Sequence, residues 1–284
     1  MSETAVLARP PAAFSAALGQ PAARIGLGIV LLFLFLCAFA PLIAPYNPYE
    51  QNLMSALAPP TLAHPLGTDQ YGRDVASRVF YGARYALLAI IVGDGMALAV
   101  GTAMGLAGGY LGGAADAVIM RVVDVLLAFP YLLLALIIVA ALGPSLLHSM
   151  IAIGVVYTPQ YARLVRGQVL GVRQSDFVRA ARALGASTRR IVLRHVAPNS
   201  LSPVIVMATL QAGAVVVETA GLSFLGLGAQ PPSPDWGALL ADGQNYFLTA
   251  WWIATFPGLA IFLVVLGFNL LGDALRHEFD PRAR

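Results

Sequence analysis

Six apolar runs, at 25–44, 85–107, 117–142, 146–164, 203–222 and 251–271, constrain this chain more than any motif in it. About 20 apolar residues in helical form cross the ~30 Å hydrocarbon core of a bilayer, and only helices and closed barrels satisfy every backbone group there. The expected fold is an all-α integral membrane protein with six transmembrane helices. Composition agrees: 58% of residues are hydrophobic, 11% are charged and the mean hydropathy is +0.76, far from the balance of a soluble domain. The first run exceeds the apolar core of a signal peptide and reads as a retained anchor. Pro41, Pro45 and Pro48 close it, and Pro130 breaks or kinks the third run.

Orientation follows from arginine, because cytoplasmic loops retain positive charge. All 17 basic residues are arginines. With the N-terminus inside, 14 fall on the cytoplasmic side, and only Arg73, Arg78 and Arg84 fall outside. Both termini are therefore expected in the cytoplasm. Residues 1–23 form an N-terminal tail, 24–44 the first transmembrane helix, 45–84 an extracytoplasmic segment, 85–272 a five-helix core and 273–284 a C-terminal tail. Within the outer segment Thr68 and Asp69 offer a cap, and Tyr71, Val75 and Val79 share a stripe. This pattern predicts a short amphipathic helix lying on the membrane surface as a scaffold for the second span. Trp236, Trp251 and Trp252 fall at the outer ends of the last spans, where interfacial aromatics are expected.

Between the fourth and fifth runs stands "RAARALGASTRRIVLRHVAPN". Six arginines lie between Arg173 and Arg194. At mid-membrane they would cost roughly 15–20 kcal/mol together, so the segment sits outside the lipid. It is not built as a loose linker. Ser175 and Asp176 can cap a first helix, in which Phe177, Ala181 and Leu184 share the apolar stripe, and Gly185 can end it in the left-handed conformation. Ser187 can cap a second helix, in which Ile191 and His195 or Val196 share a side and which Pro198 closes. Such a corner reads equally as the dock of a protein partner or as an interfacial hairpin on anionic headgroups.

The remaining polar features are few. Asp94 lies mid-span in the second run and Glu218 toward the outer end of the fifth. Ionisable residues at this depth are functional candidates, either as structural hydrogen-bond partners or on a water-lined path where a peptide amine would fit. Arg121 and Asp124 read as a local ion pair. Gly101, Gly105 and Gly109 form a G-x-x-x-G-x-x-x-G row for close helix packing, within this chain or against another. Cys37, the single cysteine, is expected packed or lipid-facing. Four scattered histidines give no metal-ligand spacing, no catalytic constellation stands out, and the basic segment lacks the interleaved aromatics of a nucleic-acid site. A chain without lysine cannot contain the phosphate-binding G-x-x-x-x-G-K-[ST] loop, so it cannot handle ATP by that route.

"AARALGASTRRIVLRHVAPN" resembles the EAA loop of permease subunits in binding-protein-dependent ABC importers. Ala180, Ala181, Gly185 and Pro198 match it, while Arg179 stands where the motif has Glu. "HPLGTDQYGRDVASRVFYGARYAL", "RVVDVLLAFPYLLLAL", "GLSFLGLGAQPPSPDWGALLADG" and "LGDALRHEFDPRAR" resemble the C-type permease of the dipeptide, oligopeptide and nickel group, so the likeness covers nearly everything from Arg24 onward. It implies a type I importer permease fold in a bacterial or archaeal plasma membrane. It also implies a coupling helix formed by Phe177, Val178, Arg179, Ala180, Ala181, Arg182, Ala183, Leu184 and Gly185 within a cytoplasmic loop at 166–200. The implied partners are a B-type permease forming a heterodimer, two ATPase subunits that use ATP and Mg, an extracytoplasmic substrate-binding protein and membrane lipid; this chain would bind no cofactor itself. Cargo would be short peptides, or alternatively nickel or a glutathione-like molecule. A proton-coupled secondary transporter using Asp94 and Glu218 is the rival class, against which the absence of an inverted repeat counts.

Overall fold

The computed structural model describes residues 19–279. Their regular structure is helical, with one isolated bridge between Thr68 and Asp74 in the largely irregular 44–74 segment. Helix α1 (Pro21–Ile43) opens on a proline, whose missing N–H is no loss in a first turn. Helix α2 (Val75–Leu111) is one 37-residue helix carrying a π-helical turn at Ile90–Asp94. Of the expected stripe, Val75 and Val79 thus begin the second long helix and Tyr71 lies in the turn before it, with no separate helix on the surface. No proline interrupts 75–111, and the Asp74 carboxylate rather than Thr68 or Asp69 caps its start, accepting from the Ser77 N–H at 2.8 Å. At 1.5 Å per residue it is about 55 Å long, well beyond the hydrocarbon thickness, so it tilts or stands clear of the lipid.

Helices α3 (Gly113–Ala128) and α4 (Tyr131–Leu142) meet at a 95° bend. Pro130 forces its predecessor out of the helical region, and Phe129 adopts φ −87°, ψ 140°. Helix α5 (Leu146–Val172) follows, then the short α6 (Asp176–Ala183) and α7 (Thr188–Ile191). Helix α8 (Ala197–Phe224), α9 (Trp236–Gly243) and α10 (Trp252–Phe279) complete the chain. Pro198 does not close α7: a π-helical turn at Val192–Val196 joins it to α8 without a break. A wider turn at that point accommodates a ring that lacks an N–H and would crowd the carbonyl four residues back. The last helix also runs seven residues beyond Gly272, into what reads from sequence as a tail.

Among the described residues four helical stretches are long and apolar enough to cross a membrane: α1, α2, Ser202–Phe224 of α8 and Trp252–Glu278 of α10. The bent α3–α4 pair is a fifth if it makes a single crossing. Helix α5 has the length, but it carries Gln160, Arg163 and Arg166 and is wrapped by α2, α4 and α8, so it has less need of a lipid-compatible surface. The helices close a ring in which α2 packs on α5, α5 on α8, α8 on α10, α10 on α1 and α1 on the outer part of α2.

The glycine row sets the α2–α5 contact inside this chain. A methyl group at Gly101 would stand 2.5 Å from the Tyr161 Cβ, at Gly105 2.6 Å from the Val165 Cβ and at Gly109 2.8 Å from a Val169 methyl. No larger side chain fits there without moving a helix.

The outer segment folds around a buried carboxylate. Asp69 accepts from the Arg73 Nε–H at 2.6 Å and from the backbone N–H of Tyr71 and Arg73, and the Arg78 Nε lies 3.5 Å away. Arg78 donates to the carbonyls of Pro48 and Pro232, and Arg73 reaches Asp242 at 3.5 Å. Trp236 and Trp252 are not interfacial aromatics but buried rivets, donating to the carbonyls of Val79 and Thr68. Only Trp251 is exposed. Asp235 caps α9; burial pushes its carboxyl above the ordinary range, against the pull of the Ala238 N–H, the Ser223 hydroxyl and the Gly237 N–H. This network binds α2, α9 and α10 into one scaffold.

Candidate functional site

The arginine-rich corner is a rigid knob. Ser175 stands at the cap position of α6, but its hydroxyl turns back and donates to the Val172 carbonyl at 2.7 Å instead of capping. At the far end Gly185 takes φ +78°, and the N–H groups of Gly185 and Ala186 bond to the carbonyls of Arg182 and Ala181. This is a Schellman turn, which a residue with a Cβ would adopt only under strain. Ser187 caps α7, accepting from the Arg190 N–H.

One side of the knob is anchored. Val178 is fully buried in the cluster that holds Ile191, Val196 and Val204, and Ala181 packs against it. Ala181 therefore lines the inner face rather than the outward stripe expected from sequence. The outward face is Phe177 and Leu184, with Arg179, Ala180, Arg182 and Ala183 also exposed. Leu184 is 88% exposed, an arrangement that water does not reward. Phe177 lies beside the His195 ring at 6.4 Å.

The helix leading into the corner is bolted to its neighbours by arginine. Arg166 of α5 grips Asp116 of α3 with two bonds of 2.6 Å, and Arg173 donates to the carbonyls of Gly109 and Tyr110 at the end of α2. A cation at a helix C-terminus also meets the negative end of its dipole. Asp124 pairs with Arg163 of α5 at 2.6 Å, not with Arg121 on its own helix. The competing partner is 39 residues away, and helix-surface spacing cannot reveal it.

The two intramembrane carboxylates each meet a tyrosine of α5. The Tyr161 hydroxyl donates to Asp94 at 2.6 Å, where Asp94 ends the π turn of α2 and is buried. The Tyr157 hydroxyl donates to Glu218 of α8 at 2.7 Å. The other Glu218 oxygen, Oε2, is buried with no hydrogen-bond partner among the described residues. Tyr157 and Tyr161 are one turn apart on α5, so this helix holds α2 and α8 through one face. Gln211 extends the seam to Gln160 at 3.1 Å. Sequence reading singled out the carboxylates but not the tyrosines; hydroxyl-bearing rings at i and i+4 within an apolar run were the available signal.

The described residues form a helical bundle with several helices apolar enough to cross a membrane and a basic corner between two of its long helices, the build of a membrane-embedded subunit. The chain belongs to the family of binding-protein-dependent transport system inner membrane components, which matches residues 97–284. Residues 18–60 match the N-terminal TM domain of oligopeptide transport permease C. It is 45% identical over 265 residues to the probable D,D-dipeptide transport system permease protein DdpC of Escherichia coli strain K12, covering 93% of this chain and 89% of that one. It is 47% identical over 268 residues to the dipeptide transport system permease protein DppC of the same strain, covering 92% and 89%. The glutathione transport system permease protein GsiD of Escherichia coli O6:K15:H31 is 45% identical over 259 residues, covering 90% and 84%. The protein is a multi-pass inner-membrane permease of an ABC importer and catalyses no covalent chemistry. Its family works with separate ATPase subunits and a substrate-binding protein.

Proposed function

We propose that this chain forms one half of a translocation pathway for short peptides, paired with a B-type permease and driven by two ATPases that consume ATP with Mg. Six crossings, with α5 and the bent α3–α4 pair counted as two of them, put both termini in the cytoplasm with 14 of the 17 arginines. The dipeptide permeases among the relatives support the cargo class. Phe177 to Gly185 form the coupling helix. Phe177 and Leu184 supply its apolar contact with an ATPase, and Arg179 and Arg182 orient it. ATP binding closes the ATPases, moves the corner and turns the cavity outward; hydrolysis resets it. Asp94 and Glu218 line the pathway side of the α2–α5–α8 seam, and the unpartnered Glu218 Oε2 supports an amine guest there.

The observation that carries this reading is the exposed Leu184 on a turn locked by Gly185. A floppy loop would dissipate a push, whereas a capped corner fixed to α2 and α3 through Arg166 and Arg173 transmits it. The reading is tested by uptake of a labelled dipeptide into proteoliposomes holding the whole complex with its binding protein. Uptake that requires ATP and persists with a protonophore is expected. Uptake that survives without ATP and collapses with the protonophore would identify a secondary transporter, and accumulation of glutathione or nickel but no dipeptide would overturn the cargo.

A further inference from the structure

Helices α1 and α2 leave between them a groove of about 300 Å³, lined by Leu34, Cys37 and Ala38 on one side and Arg84, Leu88 and Ile91 on the other. Leu34, Leu88 and Ile91 are exposed. The Cys37 thiol is buried and donates to the Ala83 carbonyl, so it offers the groove no free polar atom. Arg84 is the one charge on the wall.

The three arginines of the outer segment differ in one respect. Arg73 is held by Asp69 and Asp242, and Arg78 by Asp69 and two carbonyls. Arg84 is exposed and has neither an ion pair nor a hydrogen bond among the described residues. At the membrane surface an arginine without a counter-ion in its own chain favours an anionic headgroup by about 1 kcal/mol. Beside it the hydroxyls of Tyr49 and Tyr85 meet at 3.2 Å, an exposed aromatic pair of the kind found at headgroup level. From Arg84 to Ile91 the groove runs about 10 Å along α2, from that level into the acyl region. Its walls are mostly apolar, and an elongated groove of this volume accommodates a hydrocarbon chain.

We infer that this groove binds one anionic phospholipid, with the phosphate on Arg84 and an acyl chain laid along Leu34, Ala38, Leu88 and Ile91. The lipid completes the α1–α2 contact in the leaflet adjoining the 45–74 segment. Arg84 is exposed and holds no ion pair or hydrogen bond among the described residues, so its replacement is expected to leave the fold intact.

The test uses the complex in vesicles containing photoactivatable phosphatidylglycerol or phosphatidylcholine, each with the reactive group in an acyl chain. Labelled peptides are located by mass spectrometry. Phosphatidylglycerol is expected to label residues 34–38 and 84–91 preferentially, with no competition from inorganic phosphate. Arg84→Gln should lose about fivefold of that preference, while Arg84→Lys keeps it. Equal labelling by both lipids, an unchanged preference in Arg84→Gln, competition by free phosphate, or shielding of the groove by a companion subunit would each overturn the site.

Discussion

Asp69→Ala is expected to cost about 3–5 kcal/mol, the largest stability loss of any single substitution in the outer segment. The fully buried carboxylate neutralises two arginines that are themselves almost wholly buried. Without it, Arg73 keeps the 3.5 Å contact to Asp242 and the face of the Tyr71 ring at 4.6 Å, and Arg78 keeps carbonyl partners but no carboxylate within 4.0 Å. Two buried cations would then face each other. Asp242→Ala provides the comparison, because that carboxylate is a third exposed and its contact is long, so less than ~1 kcal/mol is expected. Thermal unfolding of the detergent-purified protein, with limited proteolysis between residues 45 and 74, reads both. Equal losses in the two variants would show that Asp69 is not the hub of the segment.

The second large effect is functional. Leu184→Asp should leave the protein inserted and folded, because this side chain is 88% exposed and supports nothing within the chain. Placed in an apolar groove of an ATPase, the same carboxylate removes an anchor and adds an unpaired charge. A central interface anchor is worth about 2 kcal/mol or more, so subunit affinity should fall by roughly thirtyfold, with ATP-driven uptake lost alongside. Val178→Asp is the informative opposite: it strikes a fully buried residue and should prevent the corner from forming at all. Co-purification of the ATPase and uptake, measured together, separate the two. Normal uptake in Leu184→Asp would remove that residue from the interface.

Much of this was legible in the chain because the signals were local. Pro130 announces the bend, Gly185 the Schellman turn, Ser187 the cap of α7, and the spacing of Gly101, Gly105 and Gly109 a close helix contact. Failures occurred where a distant partner outcompeted a near one. Asp69 looked like a helix cap but serves two arginines, Asp124 pairs across 39 residues rather than three, and Asp94 finds Tyr161 67 residues on. Indole groups predicted at the interface are instead spent on carbonyls 157 and 184 residues away. Pro198 misled for another reason. Proline ends a helix only when the regular ladder has to continue, and the π turn before it changes that ladder. The fourth apolar run, 146–164, lies within α5, much of whose surface meets protein.

The most direct measurement places p-benzoylphenylalanine in place of Leu184 in the assembled, transport-active complex and identifies what the photoproduct contains. The account predicts a covalent adduct with an ATPase subunit, its yield changing with bound nucleotide. Adducts with lipid alone, in vesicles that still accumulate peptide at the full rate, would contradict it.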